Sequence, residues 1–152
     1  MQNENKPIEA MSDCEIISSR IFNATPLSLF NAWEDPALLK QWWGPKGFTN
    51  TFHQFNFEPN GMWDFTMHAP DGTDYNNENV FKEVIKPSRI AFKHLEPHHT
   101  FTATITLEPL GDKTKFTFCM CFESAAECQK VKPFIIPANE ENFDRLENVL
   151  LK

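Results

Sequence analysis

The sequence contains no run of basic residues and no long run of apolar residues. Its formal net charge is −7, which argues against nucleic acid or an anionic membrane as the main partner, because both attract clusters of Lys and Arg. No apolar run approaches the roughly 20 residues that cross a bilayer. The opening segment MQNENKPIEA is polar and lacks the hydrophobic core of a signal peptide. We therefore expect a cytoplasmic protein with no membrane span and no nucleic-acid partner.

The cysteines are few, and their spacing matches neither a zinc site nor a disulfide scaffold. The four are Cys14, Cys119, Cys121 and Cys128. Two of them lie two residues apart on a predicted strand and share a face. We expect all four to be reduced thiols that serve in packing.

Recognisable catalytic motifs are also missing: there is no nucleophile elbow, phosphate-binding loop, dinucleotide fingerprint or metalloprotease helix. The only histidine cluster is His94, His98 and His99. A joint metal site there would need a carboxylate such as Glu96, and the spacing is not that of a tetrahedral zinc site. The sequence therefore predicts no metal and no cofactor.

What the sequence does contain is apolar and aromatic surface. The 152 residues are 41% hydrophobic and 13% aromatic, with 15 phenylalanines, which is enough for one domain with a real core. We expect a flexible tail over residues 1–12 and a single domain over 13–152.

Residues 25–45, TPLSLFNAWEDPALLKQWWGP, predict two short helices. Thr25-Pro26 and Asp35-Pro36 each place an N-cap residue before a proline at the first helical position. Helices of this length are not stable alone, so both must pack on something larger. The segment ends at the Trp-Trp-Gly-Pro sequence of residues 42–45.

The remainder reads as strands followed by helices. One strand precedes the helix pair and six follow it on short turns, which indicates an antiparallel meander. After these strands, Ser124 caps a helix that is expected to end near Lys130. Pro133 and Pro137 are expected to interrupt the chain before a final helix over 138–151. The predicted fold is α+β: a curved antiparallel sheet of about seven strands around a long C-terminal helix, with two short helices after the first strand.

A sheet of this width coils, so its apolar face is concave. A single helix cannot fill such a face completely, which leaves internal volume for a ligand. The alternative is a core filled tightly with Phe and Trp side chains. The residue pattern alone leaves both alternatives open.

Many positions together resemble one protein family, similar to the activator of heat-shock protein 90 ATPase and part of the START-like/polyketide-cyclase (SRPBCC) superfamily. The resemblance covers roughly residues 14–151. It is carried by residues 20–24 (RIFNA), Trp33, Pro36, residues 42–45 (WWGP), residues 61–63 (GMW), Met67, residues 70–72 (PDG), Tyr75, Phe81, Glu83, Pro87 and Arg89-Ile90. The resemblance implies a helix-grip fold with a deep hydrophobic ligand cavity.

The chain departs from the family pattern at three places, which involve four residues. Met62 replaces the second glycine of a Gly-Gly pair, and Asn79 replaces a glycine in the fourth strand. In the last helix Asn142-Phe143 stands where the family has Gly-Trp. Added side chains at these positions imply a smaller or reshaped cavity.

We expect the domain to bind a small hydrophobic or amphipathic molecule, as a carrier or sensor. The predicted ligand-binding residues are Trp63, Phe65, Met67, Tyr75, Asn77, Phe92, His94, Phe118, Met120, Phe134 and Phe143. Tyr75, Asn77 and Asn79 form a row of polar side chains on the fourth strand.

Two further functions stay open. An enzyme of cyclase or hydrolase type would use His94 or Glu83 as its acid or base; the competing role for Glu83 is an ion pair with an arginine such as Arg89. A chaperone-interaction module is implied by the resemblance alone. Trp42 and Trp43 either join two copies of the chain as a homodimer or lie buried in the helix pair.

Overall fold

The structure is a computed structural model, and it describes residues 14–95 and 100–151. The predicted tail and the histidines at positions 98 and 99 lie outside the described residues. Seven strands and three helices are found in the described part. The strands are β1 Glu15–Phe22, β2 Thr49–Phe55, β3 Met62–His68, β4 Asp74–Ile85, β5 Arg89–His94, β6 Phe101–Leu110 and β7 Lys113–Phe122. The helices are α1 Pro26–Glu34, α2 Pro36–Trp42 and α3 Ala125–Leu150.

The strands form one antiparallel sheet in the order β1-β7-β6-β5-β4-β3-β2. Strands β2 to β7 are a meander, and β1 closes the far edge beside β7. The α1–α2 pair is inserted between the two edge strands, and α3 packs against β1, β7 and α2. This arrangement confirms the α+β helix-grip fold that the sequence predicts.

The predicted caps of the first two helices are confirmed. Thr25 Oγ1 accepts a hydrogen bond from the Ser28 amide at 3.2 Å, and Asp35 Oδ1 accepts one from the Ala37 amide at 3.0 Å. Each cap supplies an acceptor to an N–H group that the helix itself cannot pair.

The C-terminal segment is one helix of 26 residues, not two. The expectation that Pro133 and Pro137 interrupt it is wrong. Both prolines lie on the exposed side of α3, where carbonyls that lose an amide donor face solvent. The opposite side packs onto the protein, and this burial holds the helix together across the prolines.

Arg20 of β1 fastens α3 to the sheet. Its guanidinium lies 2.9 Å from Glu140 Oε1, 2.9 Å from Asp144 Oδ1 and 3.1 Å from Glu147 Oε1. It also lies 5.4 Å from the ring centroid of Phe143. The three carboxylates recur along one face of α3, so a single cation neutralises a row of like charges.

The core is built around four tryptophans. Trp33 packs edge-on against Trp42, Trp43 and Trp63, with ring centroids 5.2, 5.1 and 5.8 Å away. Trp42 is 1% exposed and Trp43 is 8% exposed. Of the two alternatives that the sequence left open for these indoles, the structure shows burial.

Candidate functional site

A partly open cavity of about 130 Å³ lies between the inner face of the sheet, α3 and the turn that follows α2. The sheet contributes Met67, Phe92, Phe101, Phe118 and Met120. The turn contributes Trp43, Gly44 and Pro45, and α3 contributes Ile135, Ala138, Asn139 and Asn142. The expected concave apolar recess is present in part, because most of the concavity is filled by aromatic rings.

Four predicted ligand-binding residues line this cavity: Met67, Phe92, Phe118 and Met120. Trp63 and Phe65 point to the same side of the sheet as Met67, but they do not line the cavity. They are 0% and 3% exposed, and their rings pack on each other at 4.8 Å. A filled aromatic core and an open cavity, which the sequence left as alternatives, therefore lie side by side.

Tyr75 and Asn77 belong to the exposed end of β4 rather than to the cavity wall. Tyr75 is 51% exposed, and its ring lies 6.3 Å from that of Phe48. Asn77 Nδ2 donates a hydrogen bond to the Tyr75 carbonyl at 3.1 Å. They pair with Met67 and Phe65 of β3 and so share the inner face of the sheet, but neither is among the residues that line the cavity.

His94 is buried behind the cavity wall and bonded to protein. Its Nδ1 lies 2.9 Å from Asn79 Oδ1, and Asn79 Nδ2 donates to the Trp63 carbonyl at 3.1 Å. The imidazole stacks on Phe101, with centroids 4.9 Å apart. Phe101 thus stands between His94 and the cavity, and the geometry gives His94 a structural role.

Glu83, a candidate acid or base from the sequence, lies on the outer face of the sheet rather than in the cavity. Phe81 pairs with Phe92 while Glu83 pairs with Ala91, so Lys82 is an extra residue in a β-bulge. A bulge of one residue moves every following side chain to the other face. Glu83 Oε1 instead accepts a hydrogen bond from Arg89 Nε at 2.7 Å.

Phe134 and Phe143, the two predicted ligand-binding residues of the C-terminal segment, do not line the cavity either. Phe134 is 75% exposed on the solvent side of α3, because the continuous helix turns its neighbour Ile135 inward instead. Phe143 is 1% exposed and packs on Phe22 and Phe116 at 5.9 and 5.4 Å. It belongs to the core beside β1 and β7.

Sequence reasoning missed the cavity wall formed by residues 43–45. Arg145 holds this turn: its Nη1 donates to the carbonyls of Gly44 at 2.9 Å, Pro45 at 3.0 Å and Trp43 at 3.3 Å. Its Nη2 donates to the Gln41 carbonyl at 2.8 Å. Burial lowers the pKa of Arg145, yet a guanidinium stays charged. The Trp-Trp-Gly-Pro sequence of residues 42–45 was the signal in the sequence that could have indicated this wall.

Gly44 is required in this wall for two reasons. Its φ of +101° is in the left-handed region that favours glycine. A Cβ at this position would lie 3.2 Å from the Met67 terminal methyl carbon. The glycine therefore lets the turn approach the sheet across the cavity.

The wall from α3 carries two asparagines one turn apart, followed by Arg145 three residues on. Asn139 Nδ2 donates to Ser18 Oγ at 3.1 Å. Asn142 Oδ1 and Trp43 Nε1 are buried and have no hydrogen-bond partner among the described residues. This polar stripe was missed because the helix was predicted from its apolar positions.

A second recess of about 310 Å³ lies at the end of α3 and is lined by Phe22, Asn23, Glu147, Asn148, Leu150 and Leu151. Leu151 is 84% exposed, and Glu147 is already paired with Arg20. We assign the functional site to the smaller cavity, because its walls come from buried residues of three separate elements.

A row of hydrogen bonds crosses the outer face of the sheet. Asp74 Oδ1 lies 2.7 Å from His68 Nδ1, and His68 Nε2 lies 2.7 Å from Thr51 Oγ1. This row is separated from the cavity by the sheet itself.

Within residues 14–95 and 100–151, His, Cys, Asp and Glu side chains form no cluster of three that could hold a metal ion. In the same part of the chain, no helix is both long and apolar enough to cross a membrane.

The fold and cavity define a class: a helix-grip α+β domain with a small apolar recess between sheet and terminal helix. Within this class the chain belongs to the family described as activator of Hsp90 ATPase homolog 1-like protein, whose model matches residues 23–150. The family resemblance drawn from the sequence is thereby confirmed.

Solved structures share the fold of this chain. A protein from Arthrobacter aurescens is 26% identical, with a TM-score of 0.84 over 91% of this chain and 86% of that one. A protein from Nitrosomonas europaea is 21% identical, with a TM-score of 0.83 over 95% of this chain and 97% of that one. The AHSA1 protein from Silicibacter pomeroyi is 20% identical, with a TM-score of 0.72 over 90% and 97% of the two chains. No match was found among curated proteins.

Proposed function

We propose that this chain binds a small, largely apolar molecule in the cavity between Trp43, Met120 and Asn142. The observation that carries the proposal is the cavity itself, with a volume of about 130 Å³ and walls that are mostly apolar. Small-molecule sites are concave and apolar with a few polar groups, and this cavity has that composition.

The volume limits the size of the occupant. Cavities for drug-sized ligands measure about 300–1,000 Å³, whereas an apolar cavity of about 150 Å³ in another protein binds benzene. We therefore infer an occupant of about one aromatic ring or a short aliphatic group. Met67 and Met120 in the walls are flexible and polarizable, so they can adapt to somewhat different shapes.

The described contacts favour a carrier or sensor over an enzyme. Neither His94 nor Glu83 lines the cavity, since the first is bonded to Asn79 and the second to Arg89. Binding of a small molecule needs only the shape and the apolar walls that are present.

Methyl NMR of the full chain tests the proposal. With ¹³C-methyl methionine, benzene titrated into the protein is expected to shift the signals of Met67 and Met120. Met62 is on the opposite face of β3 from Met67 and serves as an internal control whose signal stays in place.

A pair of variants on α3 locates the binding. Ala138→Leu adds volume inside the cavity and is expected to abolish the shifts. The matched control is Ala126→Leu, because Ala126 lies exposed on the same helix, and it is expected to bind benzene like the unmodified chain. Equal binding by both variants, or shifts of Met62 alone, would contradict the proposal. Native mass spectrometry of protein purified from its own host would then identify the occupant.

A further inference from the structure

The cavity is partly open, and the exposure of its wall residues locates the opening. Trp43, Phe118 and Met120 are 8%, 5% and 6% exposed, so they belong to the buried interior of the cavity. The wall residues that keep more contact with solvent come from the turn, the sheet and α3: Pro45, Met67, Phe101, Ile135 and Ala138. The mouth of the cavity therefore lies among these five residues.

A pair of aromatic side chains, Phe48 and Tyr75, adjoins this mouth and is called the aromatic shelf below. Tyr75 lies directly opposite Met67 in the β3–β4 ladder, and opposite side chains share a face with their Cβ atoms about 5 Å apart. The Tyr75 ring lies 6.3 Å from the Phe48 ring. A Cβ on Gly44, another wall residue, would lie 3.4 Å from Phe48 Cβ. The shelf therefore begins where the cavity wall ends.

Tyr75 is accessible to a ligand, unlike other rings on the inner face of the sheet. It is 51% exposed, whereas Trp63 and Phe65 are 0% and 3% exposed. Single exposed apolar side chains are common on protein surfaces. What distinguishes Tyr75 is that the residue opposite it, Met67, lines the cavity. Its ring therefore offers a packing surface to any group that leaves the cavity on this side.

We propose that the binding site extends from the cavity onto the aromatic shelf and takes an elongated molecule with two apolar parts. This inference rests on the proposed function. One ring or short chain occupies the cavity of about 130 Å³, and a second aromatic group leaves past Met67 and packs on Tyr75. The Met67 side chain has three rotatable bonds, so it can adjust to the group that passes it. The link between the two parts is short, because Tyr75 lies directly beside Met67.

The shelf adds what the cavity lacks in size. The free energy of binding grows with the apolar surface that is removed from water, and the cavity alone removes that of about one ring. A second ring on Tyr75 removes more surface and forms an aromatic pair. The ligand class is therefore a biaryl or arylalkyl molecule, with one end enclosed and the other held at the surface.

Two probes that differ by a second ring on a one-carbon link test the inference: benzene and diphenylmethane. Tyr75 is the only tyrosine of the chain, so 3-fluorotyrosine gives one ¹⁹F NMR signal that reports on the shelf. The methyl signals of Met67 and Met120 report on the cavity. We expect both probes to shift the methionine signals. Diphenylmethane is also expected to shift the Tyr75 signal, and by more than benzene does.

A pair of variants on β4 assigns the second contact. Tyr75→Ala removes the exposed ring and is expected to lower the affinity for diphenylmethane about three- to tenfold more than the affinity for benzene, as the loss of an aromatic pair predicts. The matched control is Ile85→Ala, because Ile85 is 48% exposed at the other end of the same strand. This control is expected to bind both probes like the unmodified chain.

The outcomes separate the inference from the proposed function. If benzene binds but diphenylmethane does not, or if diphenylmethane leaves the Tyr75 signal in place, the extended site is overturned while binding in the cavity stands. Equal affinity ratios in the two variants would overturn it as well. A Tyr75 signal that moves on dilution of the ligand-free chain would assign the shelf to a second copy instead. Failure of both probes to move the Met67 and Met120 signals would overturn the proposed function, and the inference with it.

Discussion

At the residue scale, Arg145 has the contacts that connect the terminal helix to the cavity. It is a half-buried cation with no carboxylate partner among residues 14–95 and 100–151, and four backbone carbonyls between positions 41 and 45 accept its hydrogen bonds. These carbonyls include those at the end of α2, where a positive charge is favourable. The residue therefore fixes the turn that forms one wall of the cavity.

Replacement of Arg145 by Met is expected to lower the free energy of unfolding by roughly 2 kcal/mol, because charged hydrogen bonds to carbonyls are lost. Urea denaturation measures this change. The matched control is Arg89→Met, which removes an exposed ion pair with Glu83 and is expected to cost no more than about 1 kcal/mol. Equal losses in the two variants would contradict the role of Arg145.

The reactivity of Cys119 provides a second prediction at this scale. Burial, then the charges of Glu15 and Cys121, raise the pKa of the Cys119 thiol to about 11. Since the thiolate is the reactive species, a raised pKa means slower alkylation at neutral pH. We expect labelling by iodoacetamide, followed by peptide mass spectrometry, to rise about tenfold per pH unit from pH 7 to 9.5.

The variant Glu15→Gln removes one cause of that raised pKa and is expected to speed the labelling of Cys119 at pH 8. A rate that levels off below pH 9 in the unmodified chain would show that the thiol is not protected in this way.

At the element scale, α3 continues through two prolines. A proline inside a helix costs about 3 kcal/mol relative to alanine, partly offset by the stiffness that it gives the unfolded chain. Pro133→Ala and Pro137→Ala are therefore each expected to raise the free energy of unfolding by about 1–3 kcal/mol. Thermal denaturation followed by circular dichroism measures the gain.

Pro26→Ala is the control, because Pro26 occupies the first turn of α1, where proline is tolerated. Pro26→Ala is expected to leave the free energy of unfolding unchanged or to lower it slightly. A loss of stability in both α3 variants would mean that the prolines stabilise this helix.

The same helix shows how an error about one element changes the site. The two prolines predicted a break between two helices, and Phe134, which lies between them, was among the predicted ligand-binding residues. Burial of the opposite helix face outweighs the local preference of the prolines, and the continuous helix turns Phe134 to solvent. Propensity is a weak prior that tertiary packing overrides.

At the scale of the whole molecule, ligand binding and stability are linked. A ligand that binds only the folded chain, at one hundred times its dissociation constant, adds about 2.7 kcal/mol to the free energy of unfolding. We expect benzene at such a concentration to raise the melting temperature of the unmodified chain and of Ala126→Leu. Ala138→Leu is expected to show no increase, and an increase there would place the binding outside the cavity.

Binding to a heat-shock protein 90 chaperone, implied by the family resemblance, stays a prediction. A pull-down from lysate of the host that returned no chaperone would count against it.

The sequence by itself determined the order of elements, the caps at Thr25 and Asp35, the family and the fold, because these follow from local patterns of apolar, capping and turn residues. It also placed Met67, Phe92, Phe118 and Met120 on the inner face of the sheet by simple alternation. The tertiary structure alone decided which of the inward side chains fill the core and which leave space. It moved Glu83 outward through a bulge of one residue, stacked His94 on Phe101, and placed Trp43 and Asn142 in the walls of one cavity. The bulge and the position of His94 depend on pairing between neighbouring strands, and the cavity wall depends on contacts such as that of Arg145 with the Trp43 carbonyl, 102 positions apart. No local pattern records the volume that remains when such residues pack.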